Sequence, residues 1–378
     1  MGNPTLKLNF KITHFSLIIF NLTILGSLYA NNTLARVETI DAFPGEIRSV
    51  DIAHQDNLLA GDTLILASKI QFEPWGLVTS VSWSPDGSWL AVATGNEIQI
   101  LSSPDWKLQR TANIGALTHN LTFSPDGNWL SAGSRDGVVR VWDLKKLPQE
   151  ILFDPTYSFQ AHRKGVNKVA FSPDGSLLAT GGNDALARFW DLNNGEALGW
   201  MIGGTFAVPS LAFSPSGNLL AVVNGNMVRL REVETERIVG SFRGDYPLYD
   251  VAFSPDGQWL VATTNENSIL AWPVDQAYRT GNDNYPVPIL LYEHRGQSGT
   301  HRALVWQVVF SPDGRFMMSA GGDTDFVVWD FDQKKLVEKV SGHQGAVTSL
   351  AFHPNGKLLA SGSLDSSVKI WEFSSLSP

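Results

Sequence analysis

One five-residue phrase recurs seven times along this chain, and no other feature constrains the fold as tightly. It reads Trp83-Ser-Pro-Asp-Gly87, Phe123-Ser-Pro-Asp-Gly127, Phe171-Ser-Pro-Asp-Gly175, Phe213-Ser-Pro-Ser-Gly217, Phe253-Ser-Pro-Asp-Gly257, Phe310-Ser-Pro-Asp-Gly314 and Phe352-His-Pro-Asn-Gly356. Successive phrase aromatics stand 40, 48, 42, 40, 57 and 42 residues apart. A period of that size marks one supersecondary unit that cannot bury its apolar face alone and must stack on its neighbours.

Within a unit, alternating apolar residues precede the phrase, as Val166, Val169 and Phe171 do, and a second short run such as Leu177-Leu178-Ala179 follows it. Pro-Asp-Gly between two such runs reads as a hairpin turn: Pro sets φ, Asp bonds nearby backbone and Gly accepts a positive φ. A third run closes on Val141-Trp142-Asp143, Phe189-Trp190-Asp191, Val328-Trp329-Asp330 or Ile370-Trp371-Glu372. The chain's 34 Gly, 19 Pro, 13 Trp and 20 Phe are thereby assigned to turns and strand aromatics. The reading is all-β, a single closed propeller of four-stranded antiparallel blades.

These residues resemble the WD40 family of β-propellers, and the resemblance covers everything after about residue 34. It implies a buried structural tetrad in three units: His162, Thr180, Asp184 and Trp190; His301, Ser319, Asp323 and Trp329; His343, Ser361, Asp365 and Trp371. A fourth unit keeps Asp136 and Trp142 alone. The remaining units depart from the pattern, with Leu101 or Arg231 near the Trp position and Glu266 in place of the Asp. A hydroxyl, an imidazole and a carboxylate in line imitate a Ser-His-Asp triad, but the hydroxyl would lie beneath the blade surface with no oxyanion hole, so a structural role is expected. The resemblance also implies docking of partners on the narrow face, which carries Arg135, Asn183, Gly322 and Leu364 together with Arg163, Lys164, Arg302 and Gln344. Arg135, Arg163, Lys164 and Arg302 would gather positive charge there, which suits an acidic protein or peptide partner.

The blade count rests on the region before Trp83. Ile52-Ala-His-Gln-Asp-Asn-Leu-Leu-Ala60 aligns with Phe171 to Ala179, and this favours eight blades over seven, with residues 36–40 as the closing strand. With seven, closure would fall near residues 64–72. The 57-residue step holds an insertion: a turn-rich loop at 279–288, an outer strand at 289–292 and a second loop at 293–301.

Residues 1–30 are of another kind. No acidic residue occurs in them, and Lys7 and Lys11 precede a sixteen-residue run from Phe15 to Ala30 that is largely apolar. That is the order of a secretory signal peptide or signal anchor, short of the roughly twenty residues a membrane span needs. The domains are therefore 1–30 as leader and 31–378 as propeller, and the expected location is secreted or periplasmic, with membrane-anchored and cytoplasmic as alternatives. A membrane would be met only through an uncleaved leader.

Zero cysteines exclude disulfides, thiolate metal sites and a cysteine nucleophile. A formal charge of −9 argues against a broad nucleic-acid footprint. Phosphate-binding and hydrolase motifs are missing, and His119 and His294 are too few for a metal site. The expectation is a non-enzymatic, monomeric scaffold that binds a protein partner and needs no cofactor. The alternatives are a periplasmic or extracellular ligand-binding propeller, for which Asn31 and Asn120 offer glycosylation sequons, and a propeller hydrolase with a site in the central channel.

Overall fold

The structure, a computed structural model, describes residues 47–52, 64–72, 76–146, 153–192, 195–202, 204–277, 285–292 and 303–373. Two strands, β1 (Ile47–Ile52) and β2 (Leu64–Phe72), precede the first phrase. Blade 1 comprises β3 (Val78–Trp83), β4 (Trp89–Thr94), β5 (Glu97–Ser102) and β6 (Leu108–Asn113), and blade 2 comprises β7 (Thr118–Phe123), β8 (Trp129–Ser134), β9 (Val138–Asp143) and β10 (Tyr157–Gln160). Blade 3 comprises β11 (Val166–Phe171), β12 (Leu177–Gly182), β13 (Leu186–Asp191) and β14 (Glu196–Ile202). Blade 4 comprises β15 (Leu211–Phe213), β16 (Leu219–Asn224), β17 (Met227–Glu232) and β18 (Ile238–Arg243). Blade 5 comprises β19 (Leu248–Phe253), β20 (Trp259–Thr264), β21 (Ile269–Pro273) and β22 (Ile289–Tyr292), the last being the outer strand expected inside the insertion. Blade 6 comprises β23 (Val305–Phe310), β24 (Phe316–Gly321), β25 (Phe326–Asp330) and β26 (Lys335–Val340). Blade 7 has β27 (Val347–Phe352), β28 (Leu358–Ser363) and β29 (Ser367–Phe373).

The described residues form seven sheets, which corrects the expectation of eight blades. Strand β2 pairs antiparallel with β29, Ile70 opposite Val368, and so supplies the fourth strand of blade 7. Strand β1 adds to β2 as a fifth. The 31 residues from Ile52 to Trp83 leave too little chain for four strands and their turns, whereas β29 offers an edge whose backbone groups need partners. Closure thus falls at 64–72; residues 36–40, the alternative closing strand, lie outside the described residues.

Each phrase builds the same hairpin. The Ser84 hydroxyl donates to Asp86 Oδ1 at 2.6 Å, and its oxygen accepts the Trp89 N–H at 2.9 Å. Asp86 Oδ1 also accepts the Ser88 N–H at 3.0 Å, and Gly87 sits at φ 73°. Ser124 and Asp126, Ser172 and Asp174, Ser254 and Asp256, and Ser311 and Asp313 repeat the hydroxyl–carboxylate bond at 2.5 Å. In the weaker fourth copy, Ser216 can offer only a hydroxyl, 3.1 Å from Ser214. The seventh copy substitutes His353, whose Nε2–H donates to the Gly87 carbonyl at 3.2 Å across the closing junction. Its ring packs edge-on against Trp83, with centroids 4.7 Å apart.

Apolar clusters lie between blades as well as within them. Ala91 and Ile98 of blade 1 pack with Leu121, Leu130 and Trp142 of blade 2, and Ile70 of β2 packs with Val78 and Val81 of blade 1. Ile70 is fully buried at this seam. Ile70→Ala should lower the unfolding free energy by about 2–4 kcal/mol, measured by urea denaturation, because it empties a site shared by both ends of the ring.

Candidate functional site

Three sets of polar residues stand out in the ring. The first is the buried tetrad. In blade 3, His162 Nδ1–H donates to Asp184 Oδ1 at 2.7 Å, Nε2 accepts the Thr180 hydroxyl at 2.9 Å, and Thr180 accepts the Trp190 indole N–H at 3.0 Å. The carboxylate also accepts the Arg163 N–H at 3.2 Å and the Arg188 guanidinium at 3.0 Å. Blade 7 repeats this with His343 to Asp365 at 2.9 Å, Ser361 to His343 at 2.7 Å and Trp371 to Ser361 at 2.8 Å. In blade 6 the Trp329 indole donates to Ser319 at 2.9 Å, while His301 and Arg302 lie outside the described residues. Thr180, Ser319 and Ser361 are fully buried, so none offers a hydroxyl to a substrate.

Incomplete tetrads leave a visible cost. Ala132 and Ala262 occupy the ladder positions where Thr180 and Ser361 stand, and the buried indole N–H groups of Trp142 and Trp272 have no acceptor among the described residues. Asp136, lacking a histidine, pairs instead with Arg140 at 2.9 Å.

The second set lines the central channel, a cavity of about 630 Å³ bounded by the innermost strand of every blade. Three residues before each phrase aromatic stands a polar side chain: Ser80, Asn120, Lys168, Ser210, Asp250, Gln307 and Ser349. At five of the seven junctions this side chain accepts a backbone N–H from the following blade. The bonds are Leu121 N–H to Ser80 at 3.1 Å, Val169 to Asn120 at 3.0 Å, Val308 to Asp250 at 3.0 Å, Leu350 to Gln307 at 2.6 Å and Val81 to Ser349 at 3.1 Å. An inner strand is an edge, and these bonds satisfy donors the ladder leaves open. Around blade 4, where Lys168 cannot accept, Asp250 takes the Ser210 hydroxyl at 2.6 Å and the Lys168 ammonium at 3.3 Å. This girdle was not anticipated from the sequence, although its signal, a polar residue at one fixed offset in all seven units, was present. Engagement of Asn120 in it also argues against that sequon as a glycan acceptor.

Next to the girdle, at the channel mouth, the residues four before the aromatic form a second ring. Thr348 donates to the Val78 carbonyl at 2.7 Å, His119 Nδ1–H to Val166 at 2.9 Å and Asn167 to Val208 at 3.1 Å, each across a blade junction. Blades 4, 5 and 6 place Pro209, Tyr249 and Trp306 at these positions instead.

The third set is the surface around that mouth. Arg135, Arg163, Lys164 and Asn183 meet at one rim between blades 2 and 3. A Cβ on Gly165 would stand 3.3 Å from the Arg135 carbonyl oxygen and 3.2 Å from Asn183 Nδ2, and one on Gly137 would stand 2.8 Å from the Lys164 carbonyl oxygen. All four side chains are exposed, and Arg135, Arg163 and Lys164 make no ion pair among the described residues. Gln344 and Leu364 are exposed together over blade 7, where a Cβ on Gly345 would meet the Leu364 carbonyl carbon at 3.0 Å; Gly322, over blade 6, is half-buried. Over blades 4 to 6 the exposed apolar side chains include aromatic rings: Phe206 is 63% exposed and Trp306 37%, with Tyr246 and Leu304 also exposed, whereas among the described residues blades 1 and 7 expose only the aliphatic Leu77 and Leu364.

The family profile described as "WD domain, G-beta repeat" matches residues 70–100, 109–143, 153–191, 236–272, 292–330 and 334–372. The chain is 31% identical over 100 residues to the Drosophila melanogaster protein LST8 homolog, covering 26% of this chain and 28% of that protein. It is 29% identical over 272 residues to Arabidopsis thaliana periodic tryptophan protein 2, covering 69% of this chain and 30% of that protein. It is 25% identical over 157 residues to Scheffersomyces stipitis eukaryotic translation initiation factor 3 subunit I, covering 40% and 44%. The matched regions thus span less than half the length of each of these relatives.

Two predictions follow from the buried networks. Asp250→Ala strands the Lys168 ammonium, the Ser210 hydroxyl and the Val308 N–H together, and should cost about 3 kcal/mol or more; Ser349→Ala strands one N–H and should cost about 1 kcal/mol. Parallel urea titrations distinguish the two. Burial depresses the His162 pKa, and the Arg188 charge adds to this against the pull of Asp184. Burial raises the Asp184 carboxyl, but hydrogen bonds and charge from His162, with the Arg163 N–H and Arg188, bring it below the usual carboxylate range. Asp365 is held low in the same manner by His343, Ser367 and the Gln344 N–H. Each group binds its proton less tightly folded than unfolded, so stability is full above about pH 6.5 and falls as the pH drops, first through the histidine and then through the carboxylates. Urea midpoints between pH 8 and 2 should show both steps of this fall, and His162→Gln should remove its upper limb.

Proposed function

Because this chain belongs to the WD40 repeat family, whose profile covers over half of its residues, we propose that it is a non-enzymatic scaffold that holds a protein partner on the face around the channel mouth. The observation that carries the reading is the division of that face into two sectors. Blades 2 and 3 present Arg135, Arg163 and Lys164, cations with no carboxylate partner among the described residues. Blades 4 to 6 present Phe206, Tyr246 and Trp306. Aromatic anchors and arginines are the residue types in which interface energy concentrates, and unpaired cations favour a carboxylate-bearing partner. The partner is therefore a protein segment with acidic residues at one end and apolar anchors at the other. The name of the Scheffersomyces stipitis relative describes a subunit of a larger assembly, in keeping with such a role.

No moving part is required. Blades touch only their neighbours, and the girdle and tetrads fix the loops that carry both sectors, so little ordering entropy is lost on binding. The basic and then apolar order of residues 7–30 supports delivery to a secreted or periplasmic location, which N-terminal sequencing of the mature chain tests directly.

Affinity capture from the native source with the full chain and with two variants provides the test. Trp306→Ala should weaken partner retention about thirtyfold, as expected for loss of an aromatic anchor. Arg135→Glu combined with Arg163→Glu should abolish it while leaving thermal stability unchanged. Equal recovery of the same proteins by all three chains would refute this assignment.

A further inference from the structure

Away from the channel mouth, where the Ser-Pro-Asp-Gly turns lie, a groove of about 880 Å³ runs between the outer part of blade 4 and the base of blade 5. Its apolar lining includes Leu230, Trp259 and Val274, with Ile238 and Val239 of β18 along one side. Ile238 is 43% and Val239 37% exposed, two consecutive apolar side chains at the start of the strand that ends its sheet. Among the described residues, the ionisable ones in the lining are both acids, Glu232 and Asp275.

We propose that this groove binds an extended peptide that carries apolar side chains and a basic residue, laid along β18 as an added strand. Three observations support this occupant. The outer edge of β18 has no partner strand among the described residues, and an unpaired sheet edge is a template for an added strand. This propeller already accepts such an addition at the corresponding edge of blade 7, where β1 lies on β2 as a fifth strand. The lining carboxylates complement a lysine or arginine and disfavour the acidic segment assigned to the other face, so the two surfaces select partners of opposite charge.

The test uses the full chain and a fluorescein-labelled peptide of sequence KVTVTIK, with EVTVTIE as its charge-reversed counterpart, read by fluorescence anisotropy at low salt. The basic peptide should bind at least about tenfold more tightly than the acidic one, and Glu232→Lys with Asp275→Lys should remove that preference. Ile238→Asp should abolish binding; because its side chain is exposed, the melting temperature should stay within about two degrees of the parent. Arg135→Glu with Arg163→Glu should leave groove binding intact, which separates this proposal from the partner assignment above. Equal binding of the two peptides, binding indifferent to Ile238→Asp, or binding that appears only after residues 278–284 are excised would overturn it, the last because the groove would then belong to the chain's own segment.

Discussion

Everything in this propeller depends on one pairing, β2 against β29. Six blades are built from strands consecutive in sequence, and each could form its own ladders without the others. Blade 7 cannot, because its fourth strand comes from nearly 300 residues earlier in the chain: Ile70 faces Val368. That pairing converts a stack with two exposed ends into a ring, and it also buries Ile70 against Val78 and Val81 of blade 1. In a chain without cysteine, hydrogen bonding and apolar burial at this seam do the work a covalent link does elsewhere. Two further adaptations converge on the same junction: Ser349 accepts the Val81 N–H, and His353 replaces the phrase serine to reach the Gly87 carbonyl.

Inside the ring, the polar residues solve a problem that the apolar ones create. Inner strands are edges, and their unpaired N–H groups face a channel or a neighbouring blade. The girdle assigns each such donor to a side chain of the preceding blade at five junctions, so the bonds that satisfy the edges also tie blades together. Where Lys168 breaks the sequence of acceptors, a buried carboxylate at Asp250 gathers a hydroxyl, an ammonium and a backbone N–H. The channel is thus a structural feature first: Asp250, the carboxylate of the girdle, is fully engaged by the fold itself.

Much of this was legible in the chain because the phrase is local. Ser-Pro-Asp-Gly specifies its hairpin through atoms within five residues of one another, and the repeat places seven such hairpins without reference to anything distant. The blade count was not legible in the same way. Ile52 to Ala60 imitates a unit, but a strand is assigned to a blade by its pairing partner, and the partner of β2 is set by ring closure rather than by spacing. The girdle was missed for a different reason. Asn120, Asp250 and Gln307 sit at positions that alternate with apolar residues, which reads as a solvated strand face until the adjacent blade is put beside it.

The same logic explains why the surfaces proposed for binding lie where the internal networks stop. At the channel mouth, Thr348, His119 and Asn167 spend their donors on carbonyls of the next blade, and those junctions are closed. Over blades 4 to 6 the equivalent positions are Pro209, Tyr249 and Trp306. Proline has no donor, and the aromatic rings present apolar surface instead of completing the ring of bonds. Pro209 also stands just before β15, which is three residues long, the shortest inner strand described. The irregularity of blade 4 therefore has one origin and two consequences: a weaker ladder, compensated by Asp250 in the channel, and an uncommitted apolar sector at the mouth. A ring of seven identical blades would have neither. Departure from the repeat is what distinguishes one sector of the propeller from another and leaves an otherwise symmetric ring with one face sector whose apolar side chains the internal networks do not use.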